Sequence, residues 1–196
     1  MPRIIAGRAG GRTLRAPAGE QTRPTSDRVR EALFSALASW LGTIDETVDA
    51  QLAGVSFLDL FAGSGAVGLE AASRGASPVV LVDEHRHAAQ AISRNIADTG
   101  LTAKLIQASV RSFLAAPTGG FDVVWLDPPY RFASGELDEL LAIVAADWLA
   151  ADGLVVVERA KRDTAPSWPA SASDSWERRY GETVLYFAQF DEQESQ

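Results

Sequence analysis

Asp127, Pro128, Pro129 and Tyr130 are the residues whose types and order say most about chemistry, and they follow the apolar run 121–126. Two consecutive prolines fix φ and donate no hydrogen bond, so the carbonyls there are not drawn into regular strand pairing. The Asp127 carboxylate and the Pro128 carbonyl are two acceptors that can hold both hydrogens of an exocyclic amine. Such positioning of an amine lone pair supplies much of the rate of a group transfer. Asp127 would also stabilise positive charge developing on the nitrogen, and Tyr130 would stack on an extruded base.

A second candidate site is the glycine-rich segment 59–68, which continues the apolar run 55–60. Gly63 and Gly65 allow a tight turn and a close approach of the backbone to a ligand. Asp83 ends the next apolar run, twenty residues after Gly63, and a carboxylate there can accept hydrogen bonds from ribose hydroxyls. Ligands of open α/β sheets bind beyond the carboxyl ends of the strands, so we expect a nucleoside-containing ligand at this segment.

The glycines alone leave two classes of ligand open. Their G-x-G-x-x-G spacing together with Asp83 also satisfies the dinucleotide fingerprint of oxidoreductases. Asp59, however, would repel a pyrophosphate, whereas it would favour the ammonium group of a methionine moiety. A dinucleotide would also leave the motif at 127–130 without a role, so the two sites together favour S-adenosylmethionine and methyl transfer to an amine.

Composition excludes several other chemistries. The sequence has no cysteine, which rules out a thiolate nucleophile, a Cys-ligated metal site and the thiolate that C5 methylation of a pyrimidine usually needs. His85 and His87 have no third ligand nearby, so we expect a solvated loop or helix start there and no metal site. No apolar run approaches the roughly 20 residues that span a bilayer, and the N-terminus has no long apolar signal region. We therefore expect a cytoplasmic protein with no membrane association. We also expect a monomer.

The charge is distributed unevenly. Residues 1–30 hold seven arginines against two acidic residues, a charge of +5, whereas the whole chain has a net charge of −8 and the remainder therefore −13. The arginines are interleaved with Gly, Thr and Pro and lack acidic neighbours, which indicates a basic arm that binds nucleic acid. The residues expected to bind RNA are Arg3, Arg8, Arg12, Arg15, Arg23, Thr25 and Arg28.

From residue 55 onward, short β-rich runs alternate with helical stretches, which predicts a Rossmann-like α/β fold with a mostly parallel sheet. The predicted strands are 55–60, 79–82, 103–107, 121–126 and 154–157. One helix is predicted to follow the glycines and to end at residue 74, and two more are predicted at 88–97 and 135–146. A loop over 163–175 and an antiparallel hairpin around Gly181-Glu182 are predicted to complete the C-terminal end.

Before residue 55 we expect a small extension. Two short strands, 3–6 and 12–15, should flank a Gly-rich turn, and Thr25, Ser26 and Asp27 are candidate N-caps of a following helix. The predicted organisation is an N-terminal extension for RNA binding at 1–50, a methyltransferase domain at 51–190 and a frayed tail at 191–196.

Four segments resemble the bacterial 16S rRNA (guanine(966)-N2)-methyltransferases, and they are 22–34, 58–75, 127–130 and 179–183. The resemblance covers nearly the whole chain, from Arg3 to Phe190. It implies the class I methyltransferase fold, with a seven-stranded sheet and helices on both faces. It further implies methylation of the N2 amino group of one guanine of 16S rRNA within the small ribosomal subunit. The implied cofactor is S-adenosylmethionine, released as S-adenosylhomocysteine, with no metal.

The resemblance also implies a set of cofactor-binding residues. Asp59 and Gly63 would approach the methionine part of the cofactor and Asp83 its ribose. Ser109 stands where such enzymes often place an aspartate that meets the adenine amino group, so its hydroxyl or backbone would have to serve instead. The full set is Asp59, Phe61, Ala62, Gly63, Ser64, Gly65, Asp83, Glu84, Ala108 and Ser109.

The nearest alternative function is methylation of an adenine or cytosine amine in DNA, because the motif at 127–130 does not separate these amines from guanine N2. The small size of the chain, with no evident target-recognition domain, favours a prefolded RNA. A dinucleotide-dependent oxidoreductase is a second alternative. A third is an RNA-binding protein that has lost catalysis, against which intact Asp127 and Tyr130 argue.

Overall fold

The computed structural model describes residues 2–18, 25–116, 119–129 and 132–191. The chain forms two compact units, Met1–Ser109 and Val110–Gln196. Strands alternate with helices along the chain, and the sheet has seven strands. The predicted mixed α/β architecture is therefore confirmed.

The first unit contributes three parallel strands in the order β3-β2-β1. Its elements are α1 (Asp27–Leu41), β1 (Phe57–Asp59), α2 (Ala66–Ser73), β2 (Val79–Asp83), α3 (Arg86–Thr99) and β3 (Lys104–Gln107). Every residue of β1 and β2 is buried, as expected of parallel strands that are covered on both faces. This burial is why both strands read as continuous apolar runs in the sequence.

The second unit contributes strands in the order β4-β5-β7-β6. Its elements are α4 (Val110–Leu114), β4 (Phe121–Leu126), α5 (Ser134–Asp147), β5 (Leu149–Ala160), β6 (Asp174–Tyr180) and β7 (Thr183–Phe190). β4 and β5 are parallel, whereas β7 lies antiparallel between β5 and β6. The C-terminal hairpin is thus confirmed at the predicted turn.

Three details of the second unit differ from the sequence prediction. β6 begins at Asp174, inside the predicted loop 163–175, because Asp174 and Ser175 pair with Gln189 and Ala188 of β7. β5 begins at Leu149, five residues earlier than the apolar run at 154–157, and its pairing with β4 shifts register between Phe121 and Val123. Asp152, with a φ of 58°, lies between Leu149 and Leu154, the β5 residues paired on either side of this shift. α4 was not expected, since five residues are too few for a helical period to show. Only Val110 and Leu114 of this helix are buried.

The residues that flank α1 are suited to cap a helix. The Ser26 hydroxyl accepts a hydrogen bond from the Val29 amide at 3.3 Å, and Gly42 ends the helix with a φ of 71°. Val29, Leu33 and Leu37 recur every four residues on the buried face, as the sequence period indicates. Of the three candidate N-caps, the structure selects Ser26.

The N-terminal arm, residues 2–16, is a turn with a single antiparallel bridge between Arg3 and Thr13. The Ile4 amide donates to the Arg12 carbonyl at 2.9 Å, and the Leu14 amide donates to the Pro2 carbonyl at 2.8 Å. These bonds pair the two halves of the arm as predicted, although they are too few to make regular strands. Ile4 and Leu14 are fully buried, so the arm is part of the core of the first unit.

Candidate cofactor loop and acceptor motif

The carboxyl ends of β1, β2 and β3 carry the predicted cofactor residues. The three strands are parallel, with Asp59 opposite Leu81 and Asp83 opposite Gln107, so their carboxyl ends lie at one edge of the sheet. The Ala108 amide donates to the Asp83 carbonyl at 3.2 Å, which extends the pairing beyond β3. The first unit therefore brings Asp59, Asp83 and Ala108 to a common edge. Ser109, half-buried, is the next residue along the chain.

Two positions of the glycine loop, which is formed by residues 60–65, require glycine. Gly63 and Gly65 have φ values of 55° and 77°, in the left-handed region that other residues rarely adopt. The loop is tied to the sheet by the Ala62 amide, which donates to the Val82 carbonyl at 3.0 Å. Gly68 of α2 has a different role, since a Cβ there would collide with the Leu81 side chain. Its absence of a side chain lets α2 pack closely on β2.

Asp83 holds the glycine loop. Its Oδ2 accepts a hydrogen bond from the Gly63 amide at 2.8 Å, and its Oδ1 accepts one from the His85 amide at 2.9 Å. His85 is the N-cap residue of α3, so one buried carboxylate fixes both the loop and the start of the next helix. Glu84 lies exposed between them.

Asp59 connects β1 to α2. It is 1% exposed, and its Oδ2 accepts a hydrogen bond from the Gly68 amide at 3.1 Å. Phe61, Gly63 and Ser64 are half-buried, so the face of the loop that they form is partly open. The glycine loop also contains the other predicted cofactor contacts of this segment, which are Phe61, Ala62, Ser64 and Gly65.

The acceptor motif lies in the second unit, directly after β4. Leu126, the last residue of β4, pairs with Val157 of β5. Asp127 is then half-buried, Pro128 is buried and Pro129 is exposed. The Pro129 carbonyl accepts a hydrogen bond from the Phe132 amide at 2.8 Å. Tyr130 lies outside the described residues.

The arginines of the N-terminal arm have more partners than the sequence suggested. Arg3 pairs with Asp27 and Arg15 with Asp98, both at 3.0 Å, and the partners lie 24 and 83 residues away in sequence, which is why local composition did not reveal them. Arg30, the last of the seven arginines, also pairs with Asp27, so the expectation that the arginines lack acidic partners is wrong for these three.

The remaining residues of the predicted RNA-binding set also differ in their surroundings. Arg8 donates to the Ala72 carbonyl at 2.9 Å and Arg12 to the Asp98 carbonyl at 3.2 Å, although both side chains stay exposed. Arg28 is exposed and Thr25 is half-buried. Arg23 lies outside the described residues.

The pKa of Asp27 shifts because two arginines surround its carboxylate. Burial acts to raise the pKa of Asp27, but hydrogen bonds from Arg30 and Arg3 outweigh it, so the pKa lies below its ordinary value. Arg30 itself is fully buried, and its Nη2 donates to Asp27 Oδ1 at 2.7 Å. Both residues belong to α1, and the hydrogen bond from Arg3 to Asp27 joins the arm to this helix.

Sequence reasoning missed several buried polar residues of the described ranges, among them Arg30, Asn95 and Arg159. Arg30 and Asn95 belong to the first unit and Arg159 to the second, and none is more than 5% exposed. For Asn95 a signal was present, because it occupies the same face of α3 as the buried Ala88 and Ile92. A polar residue in an apolar stripe usually has a buried hydrogen-bond partner.

Within the described ranges, no three acidic or histidine side chains come together in a way that could hold a metal ion. None of the described helices is both long and apolar enough to cross a membrane.

Comparisons with known proteins identify the family. The family described as "Conserved hypothetical protein 95" matches residues 2–189. Ribosomal RNA small subunit methyltransferase D of Escherichia coli K12 is 38% identical over 184 residues, which cover 93% of this chain and 86% of that protein. The solved structure of the E. coli protein yhhF superposes with a TM-score of 0.81 at 33% identity, over 98% of this chain and 99% of that one.

A more distant solved structure shares the fold. The Thermus thermophilus 16S rRNA N2 G1207 methyltransferase, in complex with AdoMet and guanosine, is 20% identical with a TM-score of 0.64. The match covers 88% of this chain and 44% of that one. The fold is thus that of class I methyltransferases, and the chain belongs to the conserved hypothetical protein 95 family, together with ribosomal RNA small subunit methyltransferase D.

Proposed function

We propose that this protein transfers a methyl group from S-adenosylmethionine to the N2 amino group of one guanine in 16S rRNA, within the small ribosomal subunit or its assembly intermediate. The observation that carries the proposal is the Asp127-Pro128-Pro129 motif at the end of β4, in a chain of this family. Since the proposed substrate is rRNA, we propose that the protein is located in the cytoplasm.

The glycine loop fits the proposed cofactor. A Cβ at Gly63 would meet no atom within 4 Å, so the loop backbone has open space beside it. Each oxygen of Asp83 already accepts one backbone N–H, and Oδ1 also lies 3.2 Å from Nδ1 of His85, but the second lone pair of Oδ2 can accept a ribose hydroxyl. Buried Asp59 supplies negative charge next to the loop, which favours the ammonium of a methionine and disfavours a pyrophosphate.

The acceptor motif fits the proposed nucleophile. The lone pair of an exocyclic amine is delocalised into its ring, so the nitrogen must be oriented before it can attack. In the proposed complex the Asp127 carboxylate and the Pro128 carbonyl accept the two amino hydrogens, and the lone pair then faces the methyl carbon. S-adenosylmethionine supplies that methyl group on a sulfonium, whose sulfur keeps the electron pair of the broken S–C bond. The new N–C bond leaves positive charge on nitrogen, which Asp127 stabilises until one proton is lost to water.

The arm is proposed to hold the RNA. Arg8, Arg12 and Arg28 are exposed cations on or next to it, and Arg3 and Arg15 are exposed although each has an acidic partner. We also propose, from the sequence, that Arg23 and Thr25 bind RNA. Tyr130 is proposed to stack on the target base. A phosphate that approached Arg3 or Arg15 would compete with a carboxylate, so these two should contribute less than the other arginines.

The test is transfer of a labelled methyl group in the presence of three substrates: unmodified small subunits, naked 16S rRNA and duplex DNA. We expect label in RNA and none in DNA. Label in adenine or cytosine of DNA would support the alternative methyltransferase and contradict this proposal. Thermal stabilisation by S-adenosylhomocysteine but not by NAD would exclude the oxidoreductase.

A further inference from the structure

The N-terminal arm and the glycine loop share a buried side chain, Asn95 of α3, which is fully buried. Its Nδ2 donates to the Ser64 carbonyl in the loop at 2.8 Å and to the Arg15 carbonyl in the arm at 3.0 Å. Its Oδ1 accepts a hydrogen bond from the Arg15 amide at 2.8 Å. Both donors and the acceptor of one amide therefore connect the loop to the arm.

Arg30 of α1 makes a second connection. Its Nη1 donates to the Ala66 carbonyl at 3.3 Å, and its Nη2 donates to Asp27, whose other oxygen accepts a hydrogen bond from Arg3 of the arm. Ser64 and Ala66 flank Gly65, the left-handed residue at which the loop becomes α2. The Ser64 carbonyl is thus held by a side chain that also contacts the arm, and the Ala66 carbonyl by one that is linked to the arm through Asp27.

The arm also rests on α2 itself. Glu70 accepts hydrogen bonds from the Ile5 amide at 2.6 Å and the Ala6 amide at 3.1 Å. Ser73 accepts one from the Ala9 amide at 3.0 Å. A displacement of the loop and α2 would therefore break buried hydrogen bonds to the arm, and leaving such groups unpaired is costly.

We propose that Asn95 is a positioning residue that couples the glycine loop to the arm, so that the cofactor and the RNA each raise the affinity for the other. This inference rests on the proposed function, in which the loop binds the cofactor and the arm binds RNA. An asparagine suits the role because it offers two donors and an acceptor, whereas aspartate lacks the donors and leucine lacks all three. Linkage requires the coupling to be reciprocal, so either ligand can report it.

The experiment compares the affinity for a 16S rRNA fragment with and without saturating S-adenosylhomocysteine. In the wild type we expect S-adenosylhomocysteine to raise the affinity for the RNA fragment by about fivefold or more, which is the lower end of the usual range of coupling between two binding sites. Asn95→Leu and Asn95→Asp should bring this factor close to one while both ligands still bind. Gln90→Leu is the matched control, because Gln90 is an exposed amide on the same helix, and its factor should equal that of the wild type.

A second measurement needs no variant. S-adenosylhomocysteine should slow hydrogen exchange of the Ile5, Ala6 and Arg15 amides of the arm. A wild type that binds both ligands without mutual effect, an unchanged exchange rate, or full coupling in Asn95→Leu would each overturn the inference and leave the proposed function intact. A wild type that binds neither ligand would overturn the proposed function, and this inference with it.

Discussion

At the scale of single residues, carboxylates do most of the positioning in the first unit. Asp83 fixes the loop through Gly63 and the start of α3 through His85, and Asp59 fixes α2 through Gly68. Each accepts backbone N–H groups that would otherwise be unpaired at the ends of strands and helices. Asp127 differs, because it is half-buried and is proposed to act on the substrate.

Asp127→Asn should lower turnover by about 100-fold or more, the usual cost of removing one group that stabilises transition-state charge. Affinity for S-adenosylhomocysteine should stay near that of the wild type, because Asp127 is not part of the glycine loop. Single-turnover rates and calorimetric titration measure the two quantities.

Glu139→Gln is the control for this substitution, since Glu139 is an exposed carboxylate of the same unit that pairs with Arg111. It should retain full turnover. Wild-type turnover in Asp127→Asn would contradict the assigned role.

Asp27→Asn should destabilise the protein at neutral pH, because it leaves Arg30 buried beside a neutral amide. We expect a loss of about 1–2 kcal/mol in the free energy of unfolding, discounted because the Asp27 side chain is 42% exposed. The pKa of Asp27 is held below its ordinary value, so its contribution is present above the unfolded pKa and is lost as pH falls through the folded one.

The difference between wild type and Asp27→Asn in urea denaturation should therefore shrink at pH values below about 4. An equal difference at pH 7 and in acid would show that the charge of Asp27 does not stabilise the fold.

At the scale of elements, the arm and α2 fit closely. A Cβ at Gly7 would collide with the Ser73 carbonyl, whereas one at Gly11 would meet nothing within 4 Å. Both glycines have positive φ, 78° and 84°, so they share the same backbone requirement. This pair separates the cost of backbone strain from the cost of displacing the arm.

Gly11→Ala should lower the free energy of unfolding by about 1 kcal/mol, the cost of a left-handed alanine. Gly7→Ala should cost clearly more, because it also forces the arm away from α2. Denaturation curves of the two variants measure the difference. Equal losses would mean that the arm does not depend on its contact with α2.

Elements with a clear apolar period were predictable from the sequence. The strands at 79–82 and 121–126, the glycine loop and the C-terminal hairpin lie where the pattern placed them. The roles of Asn95 and Glu70 were not predictable, because their arm partners are 64 to 80 residues away in the chain. Local patterns show which side chains are buried, but not which distant backbone groups they meet.

At the scale of the whole molecule, the charge is divided between a basic arm and an acidic remainder. With a net charge of −8, the protein should bind RNA only where the arginines are concentrated. The acidic remainder should repel RNA from other surfaces. This distribution makes the salt dependence of binding a test of where RNA lies.

Arg28→Ala should reduce the slope of log affinity for RNA against log salt concentration by about one, as for the loss of one phosphate contact. Arg178→Ala is the matched control, because Arg178 is an exposed arginine of β6 that does not belong to the proposed RNA-binding set. Its slope should equal that of the wild type. Equal slopes for all three proteins would place Arg28 away from the RNA.

The central claim is tested most directly by nucleoside analysis of unmodified small subunits after incubation with the protein and S-adenosylmethionine. Mass spectrometry of the digested 16S rRNA should show about one N2-methylguanosine per subunit, as expected for one target guanine, and no other new methylated nucleoside. A new methyl group on adenine, on cytosine or on a different position of guanine would contradict the account.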